Sequence, residues 1–188
     1  MNFTSRRLKY REFREEDFPL FYSVFSDEKI MRYAWIDSLK KEDEARAQFE
    51  KYLNIDGKPG LNNTYAFAVF AKEDSSFVGF ADIELYVSNS HVGCGEMGYF
   101  LLPGFWGKGY ATEIAGRMME FGFTGLKLHK VCARCDANNS ASENVMKKAG
   151  MTKEGELRKV RFKNGAWDDE KHYGILVDEW KVQKQNEA

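Results

Sequence analysis

Apolar and polar positions along the chain alternate with two different periods, and the switches between them mark out the elements. "SRRLKYREF" alternates and predicts a first strand. "REEDFPLFYSVFSD" then predicts a helix, with acids in its first turn and Phe18, Phe21, Tyr22 and Phe25 as an apolar stripe. "SLKKEDEARAQFEKYLNI" predicts a second helix, capped by Ser38, with Ala45, Phe49, Tyr52 and Leu53 on one face. "DGKPGLNN" reads as loop. "TYAFAVFA" and "FVGFADIELYV", joined by "KEDSS", read as a hairpin, and "GEMGYFLL" as a further strand. "ATEIAGRMMEFGFTGL" places Ile114, Met118 and Phe121 at helical spacing. "KVCARCDA" is a strand, and "SASENVMKKA" a short helix ended by Gly150. "TKEGELRKVRFKNGAWDDEKHYGILV" is a hairpin turning at "KNG".

The order is β-α-α-β-β-β-α-β-α-β-β. Consecutive hairpins predict antiparallel pairing, and the strand–helix–strand from residue 94 to 136 predicts one parallel step. The expected fold class is α/β (α+β): a mixed, mostly antiparallel seven-stranded sheet with flanking helices, not a doubly wound domain. No repeat or linker divides it, so residues 1–188 read as one domain with a short polar tail, "QKQNEA", from about 182.

Composition narrows the function. A formal net charge of −1 over 188 residues argues against a nucleic-acid stripe or an anionic-membrane binder. No run reaches the roughly 20 apolar residues that span a bilayer. The amino-terminal "MNFTSRRLKYREF" is polar and charged, and three cysteines suit a reducing compartment, so the expected location is cytoplasmic. Cys132 and Cys135 form a C-x-x-C, but within a strand they point to opposite faces, and two further zinc ligands are lacking. They read as strand residues. His91, His129 and His172 are scattered without metal spacing, and no metal is expected.

The stretch "GYFLLPGFWGKGYATEI" carries the chemistry. A helix entered from a strand through glycines offers free N–H groups at the positive end of its dipole, which suits a phosphate. It is not a P-loop, because Gly109 is followed by Tyr110 rather than lysine. Nor is it a G-x-G-x-x-G fingerprint, because Thr112 stands at the third glycine. In register, "GEMGYFLLPGFWGKGYATEI" resembles motif A of the GNAT superfamily of acetyl-CoA-dependent N-acetyltransferases. "VCARCDANNSASENVMKKAGMTKEGELR" is similar to motif B, and "KNGAWDDEKHYGILVDEW" extends the likeness to the RimJ/RimL-type branch. The family loop, Q/R-x-x-G-x-G/A, falls on Trp106–Ala111, with Trp106 departing at the first position.

The resemblance implies that two central parallel strands, "MGYFLL" and "KVCARC", splay apart to take the pantetheine arm of acetyl-CoA. Backbone groups of Phe100, Leu101 and Leu102 would pair with that arm. The loop from Trp106 through Gly107, Lys108, Gly109, Tyr110 and Ala111 to Thr112 would hold the diphosphate. By the same resemblance Asn139 contacts the cofactor arm and Ser142 lies near the sulfur.

Acetylating an amine requires its neutral form, and a carboxylate beside the thioester can take the proton. Glu96, in the GExGY segment, is the first candidate, with Glu84 and Asp82 in reserve; Ser142 is the candidate donor to sulfur and Tyr173 a further one. Most early aromatics, including Tyr33 and Trp35, are expected in the core and some at the acceptor cleft. The function expected is therefore an N-acetyltransferase acting through a ternary complex. Its acceptor is a ribosomal or other protein N-terminus, or a small amine or polyamine, and the chain is a monomer or homodimer. The alternatives are a catalytically silent acyl-CoA sensor and a generic phosphate-binding domain.

Overall fold

The computed structural model describes residues 1–53, 58–60, 63–88 and 91–187. A single sheet of eight strands runs through it: β1 (Asn2–Thr4), β2 (Leu8–Glu12), β3 (Thr64–Ala71), β4 (Phe77–Ser88), β5 (His91–Leu101), β6 (Lys130–Asp136), β7 (Thr152–Lys163) and β8 (Ala166–Leu176). The helices are α1 (Phe18–Phe25), α2 (Glu28–Met31), α3 (Glu42–Phe49), α4 (Tyr110–Glu120), α5 (Ser140–Lys148) and α6 (Val177–Glu187). The spatial order is β1-β2-β3-β4-β5-β6-β8-β7. All neighbours pair antiparallel except β5 and β6, which run parallel as expected.

Strand alternation sorts the side chains into two cores. Val69, Ile83, Met97, Leu101, Val131 and Ile175 face Ile114 and Met118 of α4. On the other face, Ala66, Ala68 and Phe80 meet an aromatic cluster from α1 and α3 that includes Phe18, Phe21, Phe25 and Phe49. Phe21 and Phe25 stack at 4.2 Å, and Phe21 lies 5.0 Å from Phe49. Phe18 and Phe21 thus serve as core, whereas Trp35 is 41% exposed and rests edge-on against Phe100 at 5.4 Å.

Four expectations are corrected. The sheet has eight strands rather than seven, because the amino-terminal run splits into β1 and β2 about a tight turn, Ser5 N–H to Leu8 O at 3.0 Å. Three residues are too few for alternation to show. Ser38 does not cap the second helix. It starts at Glu42 with Lys41 at the cap position, where Glu42, Asp43 and Glu44 favour the positive end of the dipole. The tail from 182 is helical as part of α6, which docks through Trp180 on Phe123 at 5.2 Å and Gln183 Nε2 on Gly150 O at 3.0 Å. The fourth helix also ends earlier than expected, widening into a π-type turn over Phe121–Gly125. The loop expected at 56–63 lies partly outside the described residues. The β7–β8 turn does fall at "KNG", with Asn164 and Gly165 both at positive φ.

Two segments far apart in sequence are tied across the second face. Lys163, 6% exposed, donates from Nζ to the carbonyls of Met31 (2.5 Å), Arg32 (3.3 Å) and Ala34 (2.9 Å). An ammonium with three donors meets three carbonyls at the end of α2 and in the turn after it, of which Met31 O also accepts from Ala34 N–H at 3.1 Å. Lys163→Met should therefore destabilise the fold by about 1–3 kcal/mol, the cost of stranding buried acceptors. The urea midpoint measures it, and an unchanged midpoint would contradict the tether.

Candidate active site

The glycine loop has the geometry of an anion seat. After β5 a single turn over Pro103–Phe105 leads to Gly107 (φ +71°) and Gly109 (φ +76°), and α4 starts at Tyr110. A Cβ at Gly107 would meet nothing within 4 Å, so its glycine answers to the left-handed backbone rather than to crowding. No side chain caps Gly109, which leaves the first-turn amides of α4 (Tyr110, Ala111, Thr112) without a side-chain acceptor. Trp106, where the family loop has Gln or Arg, turns back to donate its indole N–H to Leu101 O at 2.7 Å. Lys108 folds onto the loop, Nζ to Gly104 O at 2.7 Å.

Arg7, from the β1–β2 turn, braces this loop and was not anticipated. Its Nε binds Glu113 Oε2 at 2.7 Å, and its backbone N–H and Ser5 Oγ both donate to Glu113 Oε1 at 2.6 Å. Its Nη1 holds the Lys108 carbonyl at 2.9 Å, and the guanidinium lies 4.1 Å over the Tyr110 ring. Burial alone would raise the Glu113 carboxyl, but the Ser5 and Arg7 hydrogen bonds hold it below the usual range. A carboxylate in the first turn of α4 would oppose an arriving anion; Arg7 cancels it.

Beside the loop the sheet opens. β5 and β6 pair only at Cys94–Lys130, Gly95–Val131 and Glu96–Cys132, although β5 continues to Leu101 and β6 to Asp136. Backbone groups alternate sides along a strand. Leu102 N–H is committed to Val78 O at 2.9 Å, and Phe100 faces Phe80 of β4. The groups aimed at the opening are therefore those of Tyr99 and Leu101, with the Leu101 carbonyl already held by Trp106.

On the α4 side, Asn139 caps α5, accepting from Ser142 N–H at 3.1 Å. Ser142 is not itself the cap. Its hydroxyl meets the Tyr99 hydroxyl at 3.1 Å, and burial pushes that phenol up to about 12. Tyr173 instead donates to Glu143 Oε1 at 2.8 Å.

The opposite face is acidic. Glu96 accepts from the Tyr86 hydroxyl and pairs with Arg134 Nε at 2.7 Å; Arg134 also reaches Glu170 at 3.7 Å. Glu84 lies across from Glu96, and burial followed by Glu96 raises its carboxyl. Asp82 is 8% exposed and pairs across from Gly98, where a Cβ would overlap its Oδ1. Burial, then Glu96 and Glu84, push Asp82 up to about 7. Cys135 lies in the α4-side core, so Cys132 faces the other side by alternation, and burial pushes both thiols up to about 11. Among the described residues no three His, Cys, Asp or Glu side chains group as metal ligands.

An uncapped helix start at the mouth of a split parallel pair invites comparison with known proteins. A family model described as "Acetyltransferase (GNAT) domain" matches residues 7–152. YnaD of Bacillus subtilis, an uncharacterized N-acetyltransferase, is 32% identical over 180 residues, covering 96% of this chain and 99% of its own. A spermidine N(1)-acetyltransferase of Vibrio cholerae is 23% identical over 174 residues, covering 93% of this chain and 95% of its own. The crystal structure of a GNAT-family acetyltransferase from Bacillus anthracis superposes with a TM-score of 0.80 at 29% identity, over 95% of this chain and 99% of that one. Motif, split sheet and relatives agree, and the chain belongs to the GNAT acetyltransferase family.

Proposed function

We propose that the protein moves the acetyl group of acetyl-CoA directly onto a primary amine that arrives as a cation. The observation that carries this reading is the three-pair parallel ladder that then opens beside the uncapped start of α4. The amides from Gly107 to Thr112 hold the diphosphate, with Lys108 adding charge and Arg7 keeping the loop open. Tyr99 and Leu101 offer strand-like pairing to the pantetheine. The Tyr99 N–H points to where a thioester carbonyl gains negative charge. Asn139 shapes the α5 end of the groove, and the Ser142–Tyr99 hydroxyl pair donates a hydrogen bond toward the departing sulfur. A thiolate with a pKa near ~8.5 needs no stronger acid.

On the far face, Asp82, Glu84, Glu96 and Glu170 outnumber Arg134 and Arg161, the latter 3.9 Å from Glu170, and favour a positively charged acceptor. That polarity supports a polyamine, the acceptor class named for the Vibrio cholerae relative. The RimJ/RimL-type motifs support a protein α-amine, which also arrives largely protonated. Both belong in the assay.

Thiol release from acetyl-CoA should appear with spermidine or with ribosomal-protein N-terminal peptides, and be weak with neutral or anionic acceptors. Coenzyme A that raises the melting temperature without turnover on any amine would instead mark an acyl-CoA sensor. Separately, Arg7→Ala should weaken coenzyme A binding about tenfold, roughly 1.4 kcal/mol. Calorimetry reads this, and kcat at saturating acetyl-CoA should change far less.

A further inference from the structure

An ammonium has no lone pair, so the proposed transfer needs a group that removes a proton where the thioester and the amine meet. Glu96 is the carboxylate that the motif suggests. In the fold, however, Tyr86 donates to it and Arg134 pairs with it. Both of its oxygens are therefore already engaged, Oε2 by the Tyr86 hydroxyl and Oε1 by the Arg134 guanidinium.

Asp82 has the opposite surroundings. The groups facing it are Glu84 on its own strand, Glu96 on β5, the Tyr52 phenol beyond α3 and the Gly98 amide. Phe80 lies two residues back on the same face of β4. Asp82 makes no ion pair with a Lys or Arg among the described residues. Its position is unusual for a residue one strand away from the opening. Gly98 lies two residues past Glu96, the last β5 position paired with β6, and has no side chain. The Asp82 carboxylate occupies the space that a Cβ there would fill, and so reaches the lip of the gap.

Resting on the acetyltransfer reading, we propose that Asp82, laid over Gly98, is the base that takes the proton from the acceptor amine. The nitrogen lone pair forms the C–N bond and the C–S bond breaks with its electrons on sulfur. Asp82 takes one ammonium proton before the attack and passes it to water; the nitrogen gives up its second proton as the C–S bond breaks, and that proton reaches the thiolate through water, leaving a neutral amide and a free thiol. Glu84 and Glu96 draw the cation in and position it. A carboxylate that is half protonated near neutral pH matches this task.

The test is the pH dependence of kcat/KM with a polyamine acceptor, whose own pKa lies well above the range of interest. Wild type, Asp82→Asn and Glu96→Gln are compared, with coenzyme A affinity and melting temperature measured alongside. Asn is isosteric with the neutral acid, so D82N should fold and bind coenzyme A normally. Wild type should lose activity on the acid side with an apparent pKa of about 7. D82N should lower kcat about 10²–10⁴-fold and abolish that limb. E96Q should raise KM for the amine and keep the limb. A second readout follows from linkage. The raised folded pKa means stability is lost as pH rises through about 7, so D82N should gain melting temperature over wild type above that pH. A D82N rate within threefold of wild type, or a limb that survives in D82N, overturns the assignment while leaving acetyl transfer intact. Absence of turnover by wild type on every amine overturns both.

Discussion

Everything at the site depends on two strands that stop pairing in the middle of a sheet. β5 is committed to β4 along its length, from Ser88–His91 to Gly79–Leu101. β6 is committed to β8 as far as Asp136. With each strand held by its outer neighbour, the ordinary twist between strands separates them past Glu96. Beyond that point no β6 residue pairs with β5, and an unmet backbone group that is buried costs about 1–3 kcal/mol. Trp106 relieves one such group by taking the Leu101 carbonyl. On the proposed reading, the others are left for the amides of a pantetheine chain.

The opening has two chemically different mouths. Toward α4 and α5 it presents hydroxyls, amides and the braced loop, a neutral to positive lining suited to phosphates and sulfur. Toward α1–α3 it presents carboxylates relieved by Arg134 and, at Glu170, by Arg161. On the proposed reading, this difference in charge sorts the two reactants before any contact is made. Asp82 fits this division. Burial and its carboxylate neighbours favour its neutral form, and Gly98 leaves it room.

Much of this was legible in the sequence. The strand-like runs over 64–71, 77–87 and 130–137 match β3, β4 and β6, and the Gly107–Gly109 loop showed through its motif. What stayed hidden had physical reasons. Arg7 and Glu113 lie 106 residues apart, and nothing in a short basic run says which carboxylate it will meet. Glu96 looked like a free carboxylate because Tyr86 and Arg134 join it only once three strands are assembled. Asp82 was ranked behind it because its burial and its seat over Gly98 come from register, not from spacing. The α6 helix was missed because so few apolar residues mark its docking face.

The lysine tether also bears on how such a chain is made. β8 lies between β6 and β7, so the outer edge of β6 stays uncovered until almost the whole polypeptide has been synthesised. The Arg32 and Ala34 carbonyls, translated early, likewise wait for Lys163, whereas Met31 O already accepts from Ala34 N–H. During elongation on the ribosome the chain that has emerged before the last hairpin therefore carries an open strand edge and an unlatched turn, both exposed to aggregation. Stalling or truncation anywhere before the last hairpin would leave a chain that cannot close its own chamber.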